Sequence, residues 1–215
     1  MAKKQAVSIS VIKRLPRYYR FLTDLLKKDV HRISSRELAS IMGLTASQIR
    51  QDLNCFGGFG QQGYGYNVDD LRKEIAHILG IDHQLRTVLI GVGNLGKALI
   101  THLDFAKRGF SLIGAFDKDL NLIGHQIAGI PIMDIGDMEA FCKDNQPEVA
   151  ILCIPKGSAQ ELADRLVACG IRGFWNFSHY DLKLASKDIR VENVHLGDSL
   201  MTLCYLINNA GDDDE

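Results

Sequence analysis

The chain has 215 residues, 46% of them apolar and 24% charged, which suits one large folded domain or two modest ones. Collagen, a disordered polymer and a small disulfide scaffold are excluded. The near-neutral total of 25 Lys and Arg against 26 Asp and Glu conceals a division, since residues 1–80 carry +6 and residues 81–215 carry −7. A front end that meets a polyanion is expected to precede a back end that does not.

The first ten residues read as a mobile arm. A helix is expected from Pro16, because proline suits a first turn, with Leu15, Tyr18, Tyr19, Leu22, Leu25 and Leu26 at helical spacing. A second helix begins at Ser34, where Ser34-Ser35-Arg36-Glu37 forms a capping box, and ends at Gly43. A third begins at Thr45, with Thr45-Ala46-Ser47-Gln48 as another box, and reaches about Cys55. Phe56–Tyr66 holds five glycines among aromatics and suggests two short strands joined by a glycine-rich turn. A fourth helix over about Asp69–Leu79 ends at Gly80, where the domain boundary is placed.

From Leu85 short Val- and Ile-rich runs alternate with helical segments. The runs are Thr87–Ile90, Leu112–Phe116, Ile130–Met133, Val149–Ile154 and Gly173–Phe177. Helices are expected near Gly96–Lys107, Asp137–Asp144 and Ser158–Cys169. This alternation predicts a doubly wound, Rossmann-type parallel sheet covered on both faces. A last helix, from about Asp198, carries Leu200, Leu203, Cys204, Leu206 and Ile207. It is too apolar on too many sides to lie alone, so it is expected to pack on another subunit. The expected domains are a winged helix-turn-helix over 1–80, a nucleotide-binding domain over 81–195, a dimerisation helix over 196–210 and a disordered tail over 211–215. No apolar run nears the ~18 residues of a membrane span, and the N-terminus lacks a signal core, so the expected compartment is the cytoplasm. The five cysteines are scattered with no CxxC pair, which predicts buried free thiols and no metal site.

Gly91-Val92-Gly93-Asn94-Leu95-Gly96 follows a predicted strand and opens a predicted helix, and Asp117 ends the next strand. In a dinucleotide site Gly91 allows the tight turn, Gly93 the approach of a pyrophosphate and Gly96 the packing of helix on sheet. Helix N–H groups and the helix dipole favour the phosphates. Asp117 would accept ribose hydroxyls, favouring NAD(H) over NADP(H), although Lys118 beside it could offset a 2′-phosphate. Pro155, after the fourth run, is a further candidate for the pocket. The bland alternative is a Gly-rich turn with no nucleotide. No motif unites His102, His125, His179 or Lys156 with a catalytic partner, and no catalytic domain follows, so no catalytic residue is assigned.

Ser35–Cys55 has the form of a helix-turn-helix. Ala39, Gly43 and Ile49 have the spacing that packs one helix on the next. The second helix of the pair then offers Ser47, Gln48, Arg50 and Gln51 to base edges in the major groove. Arg14, Arg17, Tyr18 and Arg20 are expected to hold phosphates. The glycine-rich hairpin, with Phe59, Gly60 and Gln62, is the expected wing. The bland alternative is a small helical domain with solvated basic residues.

Together, RLPRYYR (Arg14–Arg20), SSRELA (Ser34–Ala39), GLTASQIRQDLNCFGGFGQQGYGY (Gly43–Tyr66), GVGNLGKAL (Gly91–Leu99) and GAFD (Gly114–Asp117) resemble the Rex family of redox-sensing transcriptional repressors, over nearly the whole chain. The resemblance implies a cytoplasmic homodimer with a winged-helix domain, a Rossmann domain and a C-terminal helix swapped between subunits. It implies repression of fermentation and respiration operons while NADH is scarce. NADH would close the dimer and release palindromic operator DNA, whereas NAD+ would share the pocket and leave DNA binding intact. Many relatives carry tyrosine at the position of His102 and aspartate at that of His195, and often a basic residue at that of Gln62. Leu196 would lid the partner's nicotinamide. Two other functions remain open on the residues alone: an NAD-dependent dehydrogenase with a dimerising front domain, and an NAD-binding module without a switch.

Overall fold

Val11, Leu15, Tyr18 and Leu22 recur at helical spacing and are all buried, so the first helix forms along them. In a computed structural model that describes residues 7–57, 59 and 64–209, this helix, α1, spans Ile9–Lys27. It therefore starts seven residues before Pro16. Ser8 caps it, accepting from the Val11 N–H, and Pro16 lies inside on an exposed position. The apolar stripe beginning at Val11 outweighs the single hydrogen bond that proline removes.

A short strand, β1 (Arg32–Ile33), leads into α2 (Ser35–Met42). The Ser34 capping box forms in both directions: Ser34 Oγ accepts from the Glu37 N–H at 3.1 Å, and the Ser34 N–H donates to Glu37 Oε2 at 2.7 Å. Gly43 ends α2 in the left-handed region, and α3 (Ala46–Asn54) follows. Here only half the expected box forms. Thr45 Oγ1 accepts from the Gln48 N–H, but the Gln48 side chain goes elsewhere. The hairpin expected within Phe56–Tyr66 also differs. β2 is Tyr66–Asn67 and pairs antiparallel with β1, because Ile33 and Tyr66 both have a core to enter. Phe56 and Phe59 pack against that core, while Gly60 and Gln62 lie outside the described residues. α4 (Val68–Leu79) is capped by Asn67 and closes a core of Leu15, Tyr18, Leu38, Met42, Ile49 and Ile75. Residues 1–82 form one compact unit.

Residues 83–215 form the second. Its strands are β3 (Leu85–Ile90), β4 (Phe110–Asp117), β5 (Gln126–Ile127), β6 (Ile130–Asp134), β7 (Val149–Leu152), β8 (Gly173–Asn176) and β9 (Arg190–Asn193). Among the described residues they make one seven-stranded sheet, ordered β5-β6-β4-β3-β7-β8-β9, in which every pairing is parallel except β5–β6. β5 and β9 went unforeseen, because one is only two residues long and the other is an edge strand with a largely exposed, polar pattern. Alternate residues of each central strand face opposite sides. Val88, Ile90 and Leu152 pack with α6 (Met138–Asn145) and α7 (Lys156–Ala168), whereas Leu89 and Ile151 pack with α5 (Asn94–His102). α5 stops at His102 rather than Lys107, and Asp104 then accepts from the Lys107 N–H across a separate turn, Ala106–Arg108.

The last helix, α8 (Leu196–Asn208), buries none of its residues. Leu200, Met201, Leu203, Tyr205, Leu206 and Ile207 are between 51% and 68% exposed. All five thiols are free, but only Cys142 is fully buried, Cys153 and Cys169 are partly so, and Cys55 and Cys204 are exposed, which is less burial than expected. No helix among the described residues is long and apolar enough to cross a membrane, and no group of three or more His, Cys, Asp and Glu there could hold a metal.

Candidate functional site

The loop between β3 and α5 lies at the carboxyl ends of the central strands, where open α/β sheets bind ligands. Its three glycines have different reasons to be there. Gly91 has φ +94°, and a Cβ on it would overlap the Cys153 carbonyl after β7. A Cβ on Gly96 would overlap the Gly91 carbonyl. A Cβ on Gly93 would meet nothing within 4 Å. The protein's own packing therefore demands the first and third glycines, and the second leaves open room in front of a helix start. Gly93 is the N-cap of α5 and supplies no side-chain cap, which leaves the first-turn N–H groups of Asn94 and Leu95 to a ligand. This cradle fits a pyrophosphate.

Asp117, at the end of β4, is held by backbone. Its Oδ2 accepts from the Val92 N–H at 2.5 Å, and its Oδ1 accepts from the N–H groups of Lys118 (2.7 Å) and Asp119 (3.0 Å). A carboxylate offers about four acceptor sites, so roughly one is left for a ribose hydroxyl. Val92 serves through this bond and not through a ligand contact, because its side chain is fully buried. Asn94 and Lys118 are exposed and Leu95 half-buried beside the loop. Pro155 is the exposed N-cap of α7, and Ile154 before it reaches the Gly91 position. Burial pushes the Cys153 thiol up to about 12, so it brings no negative charge near a phosphate.

Two further candidates are not gathered to this loop within one chain. His102 is the last residue of α5, roughly 12 Å along the helix from Asn94. Leu196 opens α8 after β9, which lies three strands from β3, about 14 Å. His195 caps α8 by position only, with its Nδ1 3.5 Å from His179 Nδ1 and its Nε2 4.0 Å from Asp181 Oδ1.

In the first unit a residue the sequence reading passed over organises the helix-turn-helix. Asp52, on α3, is 1% exposed and accepts four hydrogen bonds. Arg14 Nη2 (2.7 Å) and Gln48 Nε2 (2.8 Å) donate to its Oδ1, and Arg14 Nε (2.7 Å) and the Tyr18 hydroxyl (2.9 Å) donate to its Oδ2. Burial opposes the charge on Asp52, yet the bonds from Arg14, Gln48 and Tyr18 hold its carboxyl below the usual range. The bond to Asp52 raises Arg14 in turn. Burial, and then Asp52, push the Tyr18 hydroxyl well above its usual value.

This corrects one assignment and refines others. Tyr18 is fully buried and cannot touch a phosphate; its hydroxyl serves Asp52. Arg14 commits two donors to Asp52 and, being partly exposed, keeps others for solvent or an anion. Arg17 is exposed and donates to the Met42 carbonyl at the end of α2. Arg50 reaches back to Ser35 Oγ at 3.1 Å, while Ser47 and Gln51 are exposed on α3. Phe59 packs against the core rather than projecting from a wing. Asp52 escaped notice because its main partner lies 38 residues away; the signal within reach was Gln48, one turn before it on the same helix.

Two protein families match the chain: "Putative DNA-binding protein N-terminus" over residues 6–54 and "CoA binding domain" over residues 82–180. Among similar proteins, the redox-sensing transcriptional repressor Rex of Thermoanaerobacter sp. (strain X514) is 55% identical over 208 residues, covering 97% of this chain and 92% of that protein. Rex of Clostridium perfringens (strain SM101 / Type A) is 51% identical over 209 residues, covering 97% and 98%. Among solved structures, RSP in complex with beta-NAD+ and operator DNA superposes with a TM-score of 0.88 at 53% identity, over 96% of this chain and 94% of that one. RSP in complex with beta-NADH gives 0.87 at 50% identity, over 96% of each.

Proposed function

The chain belongs to the Rex family of redox-sensing transcriptional repressors, and from that membership we propose how its own residues carry the function. It is a repressor and not an enzyme. NADH and NAD+ are its regulatory ligands, and operator DNA is its partner. Residues 81–195 hold the dinucleotide: Gly93 and the first turn of α5 receive the pyrophosphate, and Asp117 receives a ribose hydroxyl. Residues 1–80 read the operator through Ser47, Gln48, Arg50 and Gln51, with Arg14 and Arg17 on phosphates and Gly60 and Gln62 on the wing.

The protein acts as a homodimer in the cytoplasm. A helix with no buried residue supports the dimer, since α8 finds its apolar partner only on a second subunit. An exchange of α8 would also bring Leu196 to the partner's cradle, with His102 facing the same cleft. Five free thiols suit a reducing compartment. NADH bound to this dimer changes the spacing of the two α3 helices, so DNA and NADH favour different states. A coupling of about 1–3 kcal/mol corresponds to a roughly 5–150-fold change in operator affinity.

The observation that carries this reading is the presence, in one chain, of a glycine cradle open at Gly93 and a helix-turn-helix organised by a buried carboxylate. The test is binding to a palindromic duplex, selected by the full-length protein, across an NADH titration. A fall in affinity within that range is expected, and unchanged binding under saturating NADH would overturn the reading.

A further inference from the structure

We propose that Asp52 is a positioning residue for operator readout, fixing the Gln48 amide with its nitrogen inward and its carbonyl oxygen outward. The inference rests on the DNA-binding reading above. Gln48 is on the helix that offers side chains to base edges, and its amide lies 2.8 Å from a carboxylate that is almost wholly out of solvent. An ionised carboxylate only accepts hydrogen bonds, so the amide group facing it must be the NH2. The orientation of this glutamine therefore follows from chemistry and needs no choice between its oxygen and nitrogen.

The clamp is also fully used. Arg14 supplies two donors, Tyr18 one and Gln48 one, which fill the four or so acceptor sites of Asp52. Arg14 and Tyr18 come from α1, so the carboxylate is held against a second helix and does not turn with the Gln48 side chain. Gln48 has a competing option, the reciprocal half of the capping box at Thr45, and that bond is not made. Asp52, one turn further along α3, takes the side chain instead.

The consequence concerns which bases Gln48 tolerates. In the major groove adenine N6 and cytosine N4 donate, whereas guanine O6 and thymine O4 accept. A free glutamine can rotate its amide and satisfy either kind. With one of its two N–H bonds given to Asp52, the amide cannot exchange its ends, and Gln48 leads with its oxygen. It then favours adenine or cytosine at the contacted position and meets an unfavourable acceptor pair at guanine or thymine.

The experiment uses full-length wild-type protein, Asp52→Asn, Gln48→Ala and the double variant. Each is measured against a duplex selected by the wild type from a randomised pool, against that duplex with every half-site position substituted in turn, and against non-specific DNA. At one position per half-site the wild type should prefer adenine or cytosine over guanine or thymine by roughly tenfold. Asp52→Asn should cut that preference to about threefold or less, and should add nothing in the Gln48→Ala background. Equal weakening on all duplexes with discrimination intact would reduce Asp52 to a purely structural role and overturn the proposal. A loss that persists undiminished in the Gln48→Ala background would overturn it too. Should Asp52→Asn fail to fold, the wild type decides: the Gln48 side-chain NH2 should exchange with solvent more slowly than the amide of the exposed Gln51, and equal rates refute the clamp. A wild type that selects no duplex would sink the DNA-binding reading itself, a result distinct from all of these.

Discussion

Asp52 and Asp117 are both carboxylates at the centre of a site, and they are held in opposite ways. Asp52 is buried and receives four bonds from the side chains of Arg14, Tyr18 and Gln48. Asp117 is half-buried and receives three bonds from backbone N–H groups of Val92, Lys118 and Asp119. The first arrangement fixes two partly exposed side chains, those of Arg14 and Gln48, so it suits reading a partner. The second fixes a loop whose shape is itself the binding surface. Removing the first carboxylate strands a buried phenol together with a partly buried arginine and glutamine, whereas removing the second leaves the exposed Lys118 and Asp119 N–H groups to water and only that of Val92 without it.

That contrast orders the expected effects. Asp52→Ala should be the most damaging, destabilising the first unit by about 3–5 kcal/mol in chemical denaturation, because a partly buried arginine and a buried phenol lose their partner. A loss below about 1 kcal/mol would break the comparison. The same carboxylate gives the unit an acid limit. Its folded pKa lies below the unfolded value of about 3.9, so its contribution is complete above that pH and is lost as pH falls through the folded value. Acid titration of Asp52→Ala should lack that step.

Next comes Gly91→Ala, which forces a left-handed φ and an overlap with the Cys153 carbonyl. It should cost about 2–3 kcal/mol in the second unit and abolish NADH binding. Gly93→Ala is its control: stability should stay within about 0.5 kcal/mol, while NADH affinity in calorimetry drops at least roughly tenfold, or about 1.4 kcal/mol. An equal loss of stability in both would mean that the cradle is packing and not a site. The mildest change is Asp117→Asn, expected to alter stability by about 1 kcal/mol or less and to weaken NADH without touching DNA affinity. Damage as large as that of Asp52→Ala would erase the distinction between the two carboxylates.

The same distinction explains what could be read in advance. A site made from backbone announces itself through glycine spacing, so Gly91, Gly93, Gly96 and Asp117 were legible together with the strand and helix around them. A site made from side chains displays its members but hides who bonds to whom. Arg14, Tyr18 and Gln48 were all visible as polar groups on or near the helix-turn-helix, yet their convergence on Asp52 depends on how α1 packs against α3. The start of α1 was misplaced because Pro16 is a strong local signal, while the deciding one, Val11 through Leu22, is a pattern of burial. β1 and β2 were missed as a pair because two-residue strands carry almost no periodicity, and their pairing joins positions more than thirty residues apart.

α8 has a consequence for the life of the protein in a cell. Among the described residues of a single subunit, nothing buries any residue of this apolar helix. In the proposed homodimer, the fate of a new subunit depends on how soon it meets another copy. Dilution should lower the melting temperature, and surplus or orphaned chains would be the ones recognised first by proteases and chaperones. For that proposed dimer, abundance is tied to pairing before any ligand or gene is involved.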